Sequence, residues 1–420
     1  MAVFRPFRAI RPRADLAPQV AALPYDTMSS AEARVRAAGN PHSFLHIDMA
    51  EIDLPEGTDQ YSDIVYQTAA ANLRRFIEEG TFQQDDRPQF YIYRQSWRGR
   101  VQTGLVGCAS IDDYRNGVIK KHELTVAAKE ADRIRHVTAC NANTGPIFLA
   151  YRDEQGIAKK LSAWCEAHPA EYDFMADDMR QECWPITDPV LIAQLEADFA
   201  ATDALYIADG HHRSASAVQV GFARREQTPG FSGDEEFNFF LAVSFPEDQL
   251  KILDYNRVVQ DLNGLSAAEF LGRVENQFDM QLHGPAGSPY QPEAAHHVAM
   301  FLDGQWYRLR ARRGTFDPKD PVARLDVEIL QRNLLAPVLG IKDPRRDKRI
   351  AFIGGIRGLG ELERRCAHPQ DGGDMRVAFA MYPPSMKELF DIADSGNIMP
   401  PKSTWFEPKL LSGLFIHDLE

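Results

Sequence analysis

Apolar positions in this chain come in short blocks whose period switches between two residues and about 3.6, the marks of strand and helix in alternation. Residues 7–12 and 20–26 read as brief extended pieces, the second stopped by a Pro-Tyr-Asp turn. Ser29 and Ser30 then cap a helix running to about Gly39. Phe44, Leu45, His46 and Ile47 suggest another strand. Between Tyr61 and Glu79 the residues Ile64, Val65, Ala69, Leu73, Phe76 and Ile77 recur at helical spacing, and Gly80 closes the segment. Residues 89–94 and 101–107 alternate around Gly99, which predicts a hairpin.

Further along, residues 147–151, 237–245, 251–257, 349–355 and 377–382 are apolar strand candidates, and the two that follow residue 236 first are expected to support the polar turn described next. Residues 266–313 combine a helix with a strand containing Trp306, and Ser385 opens a short helix. The glycines at 354 and 355 lack the GxGxxG spacing of a dinucleotide site. No internal repeat or heptad run appears. The pattern predicts an α/β or α+β protein with mixed sheets, in an N-terminal portion (1–151), a central domain (152–262) and a C-terminal portion (263–420).

Polar runs interrupt this pattern in three places. The first spans residues 119–136 and carries His122, Glu123, Asp132 and Arg133; on composition alone it reads as a solvated helix laced with i,i+4 ion pairs. In the second, the strand Tyr206, Ile207, Ala208 feeds Asp209, Gly210, His211, His212 and Arg213, then a helix of small residues. Amides at a helix start carry partial positive charge, glycine permits close approach, and a guanidinium matches phosphate oxygens two at a time. Asp-Gly is also ordinary turn chemistry. An acid, two imidazoles and a guanidinium leaving the end of one buried strand favour a phosphate or nucleotide site. The third run, residues 399–409, holds Lys402, Ser403, Thr404 and Lys409 in a proline-stiffened loop that suits either a surface turn or a phosphate clamp.

Composition narrows the function classes. The 420 residues carry a formal net charge of −13, which argues against non-specific binding to a nucleic-acid backbone. Five cysteines are scattered with no CxxC pair, so neither a disulfide framework nor a zinc ribbon is signalled, and a reduced cytoplasm fits. No uninterrupted apolar stretch reaches the length of a bilayer span, which argues against membrane residence.

Four motifs taken in order, Leu23-Pro24-Tyr25-Asp26, Lys121-His122-Glu123-Leu124-Thr125 with Asp132-Arg133, Ala208-Asp209-Gly210-His211-His212-Arg213, and Pro400-Pro401-Lys402-Ser403-Thr404, resemble the bacterial and archaeal family called domain of unknown function 1015. The resemblance spans essentially the whole chain, and the family name supplies no activity. The Asp-Gly-His-His-Arg run is also similar to the signature of the ParB/sulfiredoxin-like superfamily, in which the equivalent turn holds nucleotide phosphates. That group includes kinases of free L-serine and nucleotide-binding partition proteins.

The resemblance implies a ParB/sulfiredoxin-like phosphate-binding core and a nucleotide-dependent small-molecule kinase using Mg²⁺ with ATP or ADP, with free L-serine as the acceptor. Phosphoryl transfer needs phosphate positioning, charge neutralisation and a group to orient the attacking hydroxyl. In that reading Gly210, His212 and Arg213 bind phosphates, and Asp209 holds the metal or accepts the hydroxyl proton. Glu123 and His122 form an acid/base pair, His211 can exchange roles with His212, and Arg133, Lys402, Ser403 and Thr404 clamp phosphate. Asp26 binds the substrate amine. Two alternatives stand beside it: a ParB-like nucleotide-binding regulator, and a metal-dependent hydrolase using His211, His212, Asp209 and a distant His or Glu.

Overall fold

The hairpin around Gly99 forms, from Phe90–Trp97 and Arg100–Ser110, with Trp97 opposite Arg100. Arg98 and Gly99 both take positive φ, the conformation a two-residue turn between right-twisted strands requires. These strands sit inside a nine-stranded sheet in a computed structural model that describes residues 2–367 and 373–420. Across the sheet the order is Ile119–Lys120, Leu205–Asp209, Ile147–Tyr151, Phe239–Pro246, Arg100–Ser110, Phe90–Trp97, Met179–Ile186 and Tyr172–Ala176, and Phe4–Arg5 adds to Arg100–Ser110. The sheet is mixed: Phe239–Pro246 runs parallel to Ile147–Tyr151, which runs antiparallel to Leu205–Asp209.

The chain divides into two units, Met1–Leu250 with Pro408–Glu420, and Lys251–Glu407. In the first, Phe90, Ile92, Leu105, Leu149, Ile207 and Phe240 belong to one apolar cluster. Residues 408–420 return to this unit: Ile416 bridges Ile10, Ser412 bridges Ala22, and His417–Asp418 pairs with Ala142–Asn143. The expected boundary after Tyr151 therefore falls inside a single sheet, because its central strands come from both sides of it. The expected boundary after residue 262 falls inside the second unit.

Three local expectations need correction. Residues 44–47 do not form a strand: Leu45–Asp48 is a helical turn, and a short apolar run cannot by itself distinguish the two. Residues 119–136 are not one solvated helix. Ile119–Lys120 is a strand, and the helix starts at Ala127 and buries Asp132, Arg133, His136, Val137 and Cys140. Of the strands expected to support the polar turn, Phe239–Pro246 lies in its sheet, whereas Ile252–Leu253 and Tyr255–Val259 belong to the second unit.

The second unit is built on a six-stranded antiparallel sheet in the order Phe278–Pro285, Gln305–Ala311, His297–Leu302, Val377–Met381, Tyr255–Val259, Ile350–Gly354. Val258, Phe301, Trp306, Ile353 and Ala378 share its apolar cluster. Ser266 and Ser385 each cap a helix through a reciprocal Ser–Glu box. Among the described residues no helix is long and apolar enough to cross a membrane.

Candidate functional site

The strand Leu205–Asp209 pairs with Ile147–Tyr151 through a register shift between Ile207 and Asp209. Such an irregularity re-aims the side chains at a strand end. Gly210 follows with φ +89, a left-handed conformation that explains the glycine, and the helix His211–Gln227 starts at once. The Gly210 amide donates to Asp209 Oδ1 at 2.8 Å, folding the carboxylate back over the turn.

Asp209 Oδ2 also accepts from Lys409 Nζ at 2.5 Å. Burial works to raise the Asp209 pKa, but the Lys409 ammonium and the Gly210 amide outweigh it and hold the carboxyl below its usual range. Lys409 is the second lysine of the proline-stiffened loop read as a surface turn or phosphate clamp, but its pairing with Asp209 left no mark in the sequence. It stands five residues beyond the Thr404 of the proline-stiffened loop, in the segment that returns to the first unit.

His122 and His211 meet edge to face with ring centroids 4.5 Å apart, and Glu123 Oε2 lies 4.0 Å from His211 Nδ1. Each of the three offers a ligand atom, and these atoms lie within 4.8 Å of one another. Burial lowers both histidines: His122 is pushed down to about 4, and His211, with His122 beside it, falls well below its ordinary value. Both are therefore neutral imidazoles, the form that binds metals. His211 Nε2 is buried with no hydrogen-bond partner among the described residues, and the close approach of the three ligand atoms fits a divalent cation.

His212 points elsewhere, accepting from the Val126 amide at 3.0 Å. The metal trio thus contains neither His212 nor Asp209, the residues expected beside His211 in the hydrolase reading.

Arg213 and Arg133 converge on one carboxylate. Asp48, whose side chain is fully buried, lies 2.7 Å from Arg213 and 3.4 Å from Arg133, and Ser412 Oγ donates to it at 3.2 Å. Asp132 holds Arg133 from the other side at 2.8 Å, and the Tyr25 ring lies 4.1 Å from the Arg133 guanidinium and 5.1 Å from that of Arg213. Burial would raise the Asp48 pKa, yet the two guanidiniums keep it below the ordinary carboxylate value. Both arginines expected to clamp phosphate are engaged in this network. No sequence signal marked Asp48, because its partners lie 85 and 165 residues away.

Arg133 also lines a cavity of about 240 Å³ that includes Tyr25, Asp26, Ser30, Glu51 and Lys129. Asp26 and Arg133 therefore come together, and Glu51, which accepts from Ser30 Oγ at 2.7 Å, joins them unanticipated. Lys402, Ser403 and Thr404 belong to the second unit. There Lys402 Nζ lies 5.6 Å from the Tyr255 ring centroid, and Ser403 is buried and donates to the Pro400 carbonyl at 2.6 Å.

Among solved structures the chain is similar to SbnI of Staphylococcus aureus (11% identity, 73% of this chain and 85% of that one, TM-score 0.39). It is also similar to a free serine kinase in complex with AMP (14%, 71% and 85%, 0.33) and to a conserved hypothetical protein from Pyrococcus furiosus (15%, 73% and 92%, 0.33). No curated protein matches its sequence. Residues 4–328 match the family described as "Protein of unknown function (DUF1015)", and the chain belongs to that family.

Proposed function

We propose that the first unit is a nucleotide-dependent kinase of a small amino acid, with free L-serine as the favoured acceptor. The observation that carries this reading is the junction at Asp48. Its carboxylate joins Arg213, in the first turn of the helix after Gly210, to Arg133 on the wall of the 240 Å³ cavity, so a phosphate turn and a small polar cavity adjoin.

The cavity suits a zwitterion. Asp26 and Glu51 offer carboxylates to an ammonium group, and Lys129 and Arg133 offer cations to a carboxylate. The helix amides after Gly210 receive nucleotide phosphate oxygens, and Gly210 keeps side-chain atoms out of their way. Lys409, held by Asp209, brings an ammonium to the same turn, where it can exchange its carboxylate for a phosphate oxygen. Glu123 and His122 stand beside His211 as the groups that hold or accept a proton. Used instead as metal ligands, His122, Glu123 and His211 would hold a divalent cation that neutralises phosphate charge, and the hydroxyl proton would then pass to Asp209.

A second reading, a metal-dependent hydrolase, is favoured by the same trio, because two neutral imidazoles and a carboxylate suit zinc or manganese better than magnesium. One assay separates the two. Purified protein is incubated with ATP or ADP, free amino acids, and Mg²⁺, Mn²⁺ or Zn²⁺, beside Asp209→Ala and His211→Ala controls. Phosphoserine formed by the wild type and lost in both controls supports the kinase. Nucleotide or phosphoester hydrolysis without transfer to any amino acid supports the hydrolase and overturns the kinase.

A further inference from the structure

Arg257 is 3% exposed, yet among the described residues it hydrogen-bonds only to the backbone carbonyls of Tyr255 and Lys402, and it packs against the Phe352 ring. Among the described residues no carboxylate pairs with it. A buried cation normally carries a counter-charge, since desolvation otherwise costs several kcal/mol. Burial presses the Arg257 pKa down to about 10 for want of one.

Arg257 lines a cavity of about 360 Å³ contained in the second unit, at the lower end of the range for small-molecule sites. Two carboxylates border it, and both are committed elsewhere: Asp343 to Arg345 at 3.1 Å, and Glu328 to Arg332. Lys342 adds an exposed ammonium with no ion-pair partner among the described residues. Leu335, Phe352, Pro400 and Pro401 supply apolar walls. One side of the cavity is made by a π-helical turn, Gln331–Leu335, a distortion that often marks functional positions.

We propose that this cavity binds a small organic oxyanion, a carboxylate or phosphate ester on an apolar body, whose charge is met by Arg257 and Lys342. The loop before Lys402 then serves an anion through the buried Arg257 and the prolines rather than through its own lysine and hydroxyls.

The test is isothermal titration of the full chain with phenyl phosphate, benzoate and inorganic phosphate, run beside Asp209→Ala so that binding in the first unit is recognised. At least one aromatic anion should bind, more tightly than inorganic phosphate. Lys342→Ala, a surface change that leaves folding intact, should weaken it about tenfold, as losing one charge-assisted contact implies. Arg257→Gln should abolish it. Which aromatic anion binds tells phosphate ester from carboxylate. No binding by any of the three, or full-strength binding in Lys342→Ala, overturns the proposal.

Discussion

Lys409 Nζ lies 2.5 Å from Asp209 Oδ2 although 200 residues separate them in sequence. This pair ties the returning C-terminal segment to the turn that opens the helix His211–Gln227. Its energy should be intermediate, because the Asp209 side chain is 37% exposed and that of Lys409 16%. Lys409→Met should cost about 1–2 kcal/mol, between the values for exposed and buried pairs. Adding Asp209→Asn should return part of that loss by removing the unmatched charge. Urea unfolding midpoints of both single variants and the double variant check this.

Asp48 carries two guanidiniums, so its loss should be more damaging. Asp48→Asn leaves Arg213 without a carboxylate and Arg133 with Asp132 alone, at a cost of about 3–5 kcal/mol at neutral pH. The folded carboxyl sits below its unfolded value, so its stabilisation is complete above about pH 4 and is lost as pH falls through the folded pKa. Unfolding curves from pH 3 to pH 7 should show wild type and variant converging on the acid side.

Asp326 behaves in the opposite sense. Burial pushes its carboxyl up to about 8, and its Oδ1 has no hydrogen-bond partner among the described residues. The protonated form therefore favours folding, fully below about pH 4 and progressively less as pH rises through 8. Asp326→Asn should be more stable than wild type at pH 9, with the advantage vanishing toward pH 4. Thermal melts across that range decide the matter.

If His122, Glu123 and His211 hold a divalent cation, Mn²⁺ or Zn²⁺ should raise the melting temperature and EDTA should reverse the rise. His211→Ala should weaken binding by at least about tenfold, and His212→Ala should leave it unchanged, because that ring serves the Val126 amide. Equal metal affinity in both variants would remove the trio as a site.

The strand, glycine turn and helix from Tyr206 onward were legible in the sequence, because a buried apolar run, a required left-handed residue and a small-residue helix each leave a local mark. So were the Gly99 hairpin and the Ser-capped helices. Asp48, Glu51 and the partnership of Lys409 with Asp209 were not. Each gains its meaning from residues far away in the chain, and none sits in a local pattern that distinguishes it from ordinary surface chemistry. The burial of Arg133 and His136 was hidden for a related reason: a polar helix reads as solvated until another helix covers it. The division into two units was equally illegible, since it depends on residues 408–420 rejoining a unit whose nine-stranded sheet is complete before residue 250.

That late return has a consequence during synthesis. At about 5–20 residues per second a ribosome needs roughly 10–40 s to pass from Asp209 to Lys409. Throughout that interval the nascent first unit carries a glycine turn whose carboxylate has no ammonium, and an edge still open to the strand at His417. The emerging chain is a natural client for holding factors, and its site becomes complete only once Lys409 has emerged.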